Sequence, residues 1–136
     1  MKNAKSSLLL WLLLGFVVAL ILISIAFRQE EGDEESIVNI NEGASGEDCE
    51  VKNTCWGPSE ITIEPGTTVV WVNMDISNHT VTSGDVRDPN TWAKIFDSGF
   101  SLIKPSEQWE FTFTEPGQYP YFCRLHPWMY GIVIVQ

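Results

Sequence analysis

Cys123, His126 and Met129 follow one another at three-residue intervals in the stretch Tyr121-Phe122-Cys123-Arg124-Leu125-His126-Pro127-Trp128-Met129-Tyr130-Gly131. A thiol, an imidazole and a thioether are the softer metal-binding side chains, and one loop can bring all three to a single ion. The chain has one other histidine, His79. Thiolate, two imidazoles and a distant thioether form the donor set of a mononuclear blue-copper centre. Zinc, the main competitor, takes four N, S or O donors and rarely recruits a thioether. A near-trigonal set with a weak axial sulfur lies between the preferences of Cu(I) and Cu(II), so little rearrangement accompanies gain or loss of an electron. The plain alternative is that Cys123 is a small core residue and its spacing to His126 is accidental. A third soft donor at the same interval, with both histidines used, argues for the metal.

Such ligands need a rigid frame, and from residue 56 onward the chain reads as β. Ile61-Thr62-Ile63 alternates and Pro65-Gly66 marks a turn. Residues 67–73 (Thr-Thr-Val-Val-Trp-Val-Asn) form a second strand, and Val81 continues a short one after His79. Trp109, Phe111 and Phe113 alternate with Glu110, Thr112 and Thr114 as in a half-buried strand. Glu115-Pro116-Gly117 turns the chain toward residues 119–123, and residues 131–135 close it. Many short strands and no amphipathic helix give an all-β sandwich. Cys123 then falls at a strand end, followed by a proline-containing loop in which ligands can point at a metal.

The N-terminal third has a different composition. Residues 8–27 are apolar apart from Gly15 and Ser24, with Lys2 and Lys5 before them and Arg28 after. That length suffices for a membrane-spanning helix, and the flanking charges put the later residues on the extracytoplasmic side. A cleaved signal peptide is the alternative, since Ser24-Ile25-Ala26 offers a small-x-small site, although the apolar core is long for one. Residues 1–28 are thus expected to be an anchor and residues 29–48 an acidic flexible tether, with Ile37 to Ile40 alternatively adding a first strand. Residues 49–136 are expected to be the metal domain.

The formal charge of the 136-residue chain is −10, which excludes the clustered cations that nucleic-acid binding needs. Cys49 and Cys55 lie close together and far from Cys123. In an exported domain they are expected to form a local disulfide, the alternative being two free thiols.

The region from about residue 55 to 135 resembles the cupredoxins, and among them the small plastocyanin- and amicyanin-like proteins. The resemblance runs through Pro58-Ser59-Glu60-Ile61-Thr62-Ile63, Trp71-Val72-Asn73, Asn78-His79-Thr80-Val81 and Phe96-Asp97-Ser98-Gly99. It continues in Phe111-Thr112-Phe113, Glu115-Pro116-Gly117-Gln118-Tyr119-Pro120-Tyr121-Phe122-Cys123 and His126-Pro127-Trp128-Met129. It implies a Greek-key sandwich holding one type 1 copper, with His79, Cys123 and His126 as equatorial ligands and Met129 as the axial one. The family commonly has Asn after the first histidine. Here Thr80 stands there, which keeps the backbone N–H that bonds the Cys sulfur but leaves the side-chain bracing open. Binuclear purple centres need a second Cys in the loop, and oxidases or nitrite reductases need more histidines, so the resemblance implies no enzyme. It implies instead a carrier of single electrons between redox partner proteins, which together with the expected anchor over residues 8–27 is expected to be monomeric and attached to a membrane. The alternative is a protein that stores or delivers copper. Pro127 and Trp128, beside the histidine whose edge reaches the surface in this family, are candidates for an apolar docking patch. Inward packing of Trp128 is the alternative.

Overall fold

Alternation decides which face of each strand is buried. In the computed structural model, which describes residues 35–136, eight strands form two four-stranded sheets. They are β1 (Glu35–Ile40), β2 (Trp56–Gly57), β3 (Glu60–Ile63), β4 (Thr68–Asn73), β5 (Thr82–Ser83), β6 (Gln108–Thr112), β7 (Gly117–Phe122) and β8 (Tyr130–Val135), with one short helix, α1 (Asp48–Lys52), between β1 and β2. The first sheet has the order β2-β1-β4-β6 and the second β3-β8-β7-β5. From β2 to β7 each successive strand lies in the other sheet, so the expected all-β sandwich is present, built by repeated crossings.

The core between the sheets is aromatic. Trp71 of β4 packs edge-on to Tyr121 of β7 at 5.4 Å and tilts against Trp109 of β6 at 5.5 Å. Trp56 also packs edge-on to Tyr121, at 5.1 Å. Such pairs add about 0.5–1.5 kcal/mol each beyond the area they bury. On β6 the alternation read from the sequence holds: Gln108, Glu110 and Thr112 are exposed, while Trp109 and Phe111 are half-buried against the core.

One sequence-based expectation changes, and another lies outside the described residues. Residues 29–48 are not a tether throughout, because Glu35–Ile40 is β1, paired along its whole length in parallel with β4 and, at Asn39 and Ile40 only, antiparallel with β2. The acidic composition of the segment hides two fully buried side chains, Val38 and Ile40, which alternate with the less buried Ile37 and Asn39 and fill the core face. After β1 come turns and α1, so the domain begins at β1 and not at residue 49. Residues 29–34 and the membrane-spanning helix expected over residues 8–27 lie outside the described residues. Among the described residues no helix is long and apolar enough to cross a membrane.

Cys49, on α1, and Cys55, just before β2, form the expected disulfide. The helix ends at Asn53, whose left-handed backbone (φ 50°) lets its N–H reach the carbonyls of Cys49 and Glu50.

Gly131, the second residue of β8, lies directly against the Tyr121 ring. A methyl group there would meet Tyr121 Cζ and Oη at 2.5 Å and the backbone oxygen of Ser59 at 2.8 Å. Because one neighbour is backbone and the other a buried ring, neither can yield cheaply. Gly131→Ala is expected to destabilise the fold by about 1–3 kcal/mol, read as a lower urea midpoint with an unchanged slope. A wild-type midpoint would show that this contact relaxes freely.

Candidate metal centre

β7 and β8 form an antiparallel hairpin, and the ligand loop is its connection. Cys123 follows the last residue of β7. Its N–H donates to the Met129 carbonyl at 3.0 Å, and the Met129 N–H donates to the His126 carbonyl at 2.9 Å. These two bonds curl residues 123–129 so that Cys123 and His126 face the same point. His79 reaches that point from the β4–β5 connection, held by a two-way backbone bridge with Ile103 (3.1 and 2.9 Å).

The donor atoms form a triangle. Cys123 Sγ lies 3.8 Å from His79 Nδ1 and 3.6 Å from His126 Nδ1, and the two nitrogens are 3.2 Å apart. An ion bound at about 2.0–2.3 Å to nitrogen and sulfur and centred among three donors would set them about 3.5–4 Å apart, so the triangle fits one ion with little adjustment. His79, Cys123 and Met129 are fully buried, while His126 is half-buried with an edge at the surface. The three donors seen to converge are His79, Cys123 and His126, and Met129 lies buried at the end of the same loop.

The surroundings set the charge states. Buried Asp75 takes a 2.9 Å hydrogen bond from His79 Nε2. An ionised carboxylate only accepts, so Nε2 carries the proton and the Nδ1 lone pair faces the donor triangle. Asp75 also accepts from the backbone N–H groups of Gly43 (3.1 Å), Ser45 (3.0 Å) and Ile76 (2.8 Å). Burial alone would raise its pKa, but the His79 bond and these three donors outweigh that and bring it down to about 2. For His79 burial works against the cation, yet the Cys123 sulfur and the Asp75 carboxylate overcome it and raise the pKa. Burial would also raise the Cys123 thiol, but His79, the Thr80 N–H and His126 hold it below the usual thiol range. His126 is lowered, first by burial and then by the charge on His79. The site thus favours a thiolate beside neutral His126, the form in which both bind a metal.

Thr80 supplies the bracing that the missing Asn had left open. Its N–H donates to Cys123 Sγ at 3.3 Å, its hydroxyl lies 3.8 Å from the same sulfur, and the hydroxyl oxygen accepts the Arg124 N–H at 2.8 Å. One threonine thus tethers both the ligand sulfur and the loop that follows it. Arg124 in turn pairs with Asp97 at 2.9 Å.

The two docking candidates separate. Pro127 is exposed. Trp128 is half-buried against the core, donates its indole N–H to the Ala44 carbonyl at 3.1 Å, and has its ring 5.4 Å from that of His126. Asp75 and the loop at residues 43–45 had no role in the sequence reading. An acid four residues before His79 was the only signal for Asp75, and it gains meaning only when the loop folds back over the histidine.

The profile of copper-binding proteins of the plastocyanin/azurin family matches residues 34–136. Amicyanin of Paracoccus versutus is 35% identical over 79 residues, covering 57% of this chain and 54% of the amicyanin, so the match spans about half of that relative's length. Among solved structures, a purple cupredoxin from Nitrosopumilus maritimus shares 30% identity at a TM-score of 0.63, covering 74% of this chain and 99% of that one. A copper-containing nitrite reductase from Thermus scotoductus shares 27% identity at a TM-score of 0.55 over 75% of this chain but only 22% of its own. Family profile, sandwich and converging donor triangle agree, and the chain belongs to the plastocyanin/azurin family of copper-binding proteins.

Proposed function

We propose that this protein carries single electrons between redox partner proteins on the extracytoplasmic face of a membrane, with residues 8–27 as its anchor. The observation that carries the reading is the preformed donor triangle of His79, Cys123 and His126, with Met129 buried at the end of the same loop. Copper bound there supplies a one-electron couple. The chain's own contribution is to fix the donors beforehand, so that no large rearrangement accompanies a change of oxidation state. The Asp75 bond fixes His79, Thr80 fixes the sulfur, and the two loop hydrogen bonds fix His126. The half-buried edge of His126 is the exit to the surface. Exposed Pro127 and Leu125 beside it offer a small apolar area for a partner to cover. Trp128, pinned to Ala44, supports that surface from beneath.

Both histidines of the chain stand in this one centre, which leaves none for the additional copper of an oxidase or nitrite reductase. The anchor rests on the uncharged, largely apolar length of residues 8–27 and the lysines before it. Copper storage or delivery is the second reading. Three of the four proposed ligands are fully buried, which favours retention over exchange. Fast electron self-exchange with slow release of copper to a chelator supports the carrier. Slow self-exchange with rapid release supports delivery.

Met129→Leu is expected to leave copper bound by the triangle and raise the reduction potential, because loss of the axial sulfur favours the less charged Cu(I) state. Voltammetry of the variant checks this. An unchanged potential would remove Met129 from the ligand set.

A further inference from the structure

The supports of the two histidines meet in the short loop between β1 and α1. Gly43 and Ser45 donate their N–H groups to the two oxygens of Asp75, the residue that fixes His79. Between them, fully buried Ala44 gives its carbonyl to the Trp128 indole, whose ring packs beside His126. Three consecutive residues thus reach both imidazoles, each through a single intermediate side chain. The loop itself is held from both ends. At its entry Asn41 donates its N–H to the Cys55 carbonyl (3.1 Å) and its side-chain amide to the Thr54 carbonyl (2.8 Å). At its exit α1 begins, and Cys49 Sγ rests 3.4 Å from the Ala44 oxygen. A helix of five residues is too short to hold its shape unaided. The Cys49–Cys55 bond is the covalent link that joins α1 to the segment just before β2 on which Asn41 leans.

We propose that residues 43–45, clamped by the Cys49–Cys55 disulfide, are a shared positioning element for both imidazole ligands, so that the metal affinity of the centre depends on a disulfide that touches neither ligand. The disulfide takes no part in electron transfer; it restricts where the loop can sit. Removing it frees the loop, the Asp75 oxygens lose two fixed donors, and the Trp128 anchor drifts. The histidine rings then sample orientations in which their Nδ1 atoms no longer point together. Support of this indirect kind commonly governs affinity by about 10–100-fold. The inference rests on the copper-centre reading, but its test on metal-free protein does not.

The test uses the full-length chain. Cys49→Ala/Cys55→Ala is compared with wild type by circular dichroism, by the ring-nitrogen NMR signals of the metal-free protein and by Cu(II) affinity. The expected result is an intact β spectrum, exchange-broadened signals from both histidine rings and affinity lower by at least about tenfold. Trp128→Phe removes the indole N–H and part of the ring beside His126 while leaving the Asp75 side untouched, so it is expected to perturb the His126 ring and leave His79 sharp. It serves as the deciding variant if the double variant does not fold. Sharp wild-type ring signals with unchanged affinity in the double variant, even with a lowered melting temperature, would overturn the proposal. So would wild-type His126 signals in Trp128→Phe. Should wild-type protein bind no copper while the ring signals still broaden as expected, the copper reading fails and the positioning role stands.

Discussion

Cys123→Ser is expected to abolish the visible charge-transfer band of the copper-loaded protein and to leave a folded sandwich behind. The sulfur is one corner of the donor triangle, 3.6 and 3.8 Å from the two imidazole nitrogens. It is also the only donor there able to transfer charge to Cu(II) at visible energies. Its thiol is held below the usual range by His79, Thr80 and His126 against the cost of burial, so a thiolate is ready for the metal. Serine keeps the backbone N–H that closes the loop onto Met129 and is close in size. Copper-free stability should therefore change by no more than about 1 kcal/mol. Copper affinity should fall beyond the 10–100-fold that indirect supports control. Absorption, titration calorimetry and thermal melting of the same sample separate these effects. A band that survives in Cys123→Ser would remove the sulfur from the centre.

Asp75→Ala has the second large effect, and it acts on stability and site together. The carboxylate is buried and accepts four hydrogen bonds, from His79, Gly43, Ser45 and Ile76. Each donor left unpaired in the interior costs about 1–3 kcal/mol. With partial relief by water the loss should reach at least about 3 kcal/mol, a large part of the 5–15 kcal/mol typical of a domain. Without Asp75 the proton of His79 is free to move to Nδ1, which blocks the lone pair the metal needs. Denaturant unfolding of the metal-free variant and its Cu(II) affinity check both halves, and a change in stability below about 1 kcal/mol would contradict the burial argument.

The same residue sets an acid limit. A carboxylate lowered from 3.8 to about 2 stabilises the fold fully above the unfolded value. That contribution is lost as pH falls through about 2, and its size is about 2 kcal/mol. Asp75→Asn should flatten this part of the acid-unfolding curve of the metal-free protein. An unflattened curve would mean that other carboxylates carry it.

Which parts could be read in the sequence follows from how local their causes are. The alternation of Trp109 and Phe111 with polar neighbours is a property of one strand and survived folding unchanged. Cys123, His126 and Met129 sit on one loop, so their spacing already implied convergence, and Cys49 and Cys55 are close enough for their bond to be expected. Elements defined by distant partners were less legible. Glu35–Ile40 became a strand because β4 offered an edge and Val38 and Ile40 fitted the core, whereas its surrounding charge suggested a tether. Both parallel pairings, β1 with β4 and β3 with β8, are likewise non-local. Asp75 acquires its role only through a loop some thirty residues upstream, and Trp128 is fixed by a carbonyl 84 residues away. In the sequence, an aromatic beside a ligand fits docking surface and core alike.

The absorption and EPR spectra of the full-length chain after addition of one equivalent of Cu(II) test the central claim most directly. A thiolate–copper bond within this triangle predicts an intense visible band. It also predicts a copper hyperfine splitting narrowed by delocalisation of the unpaired electron onto Cys123 Sγ. Weak absorption with the broad splitting of a nitrogen- and oxygen-bound Cu(II) would contradict it.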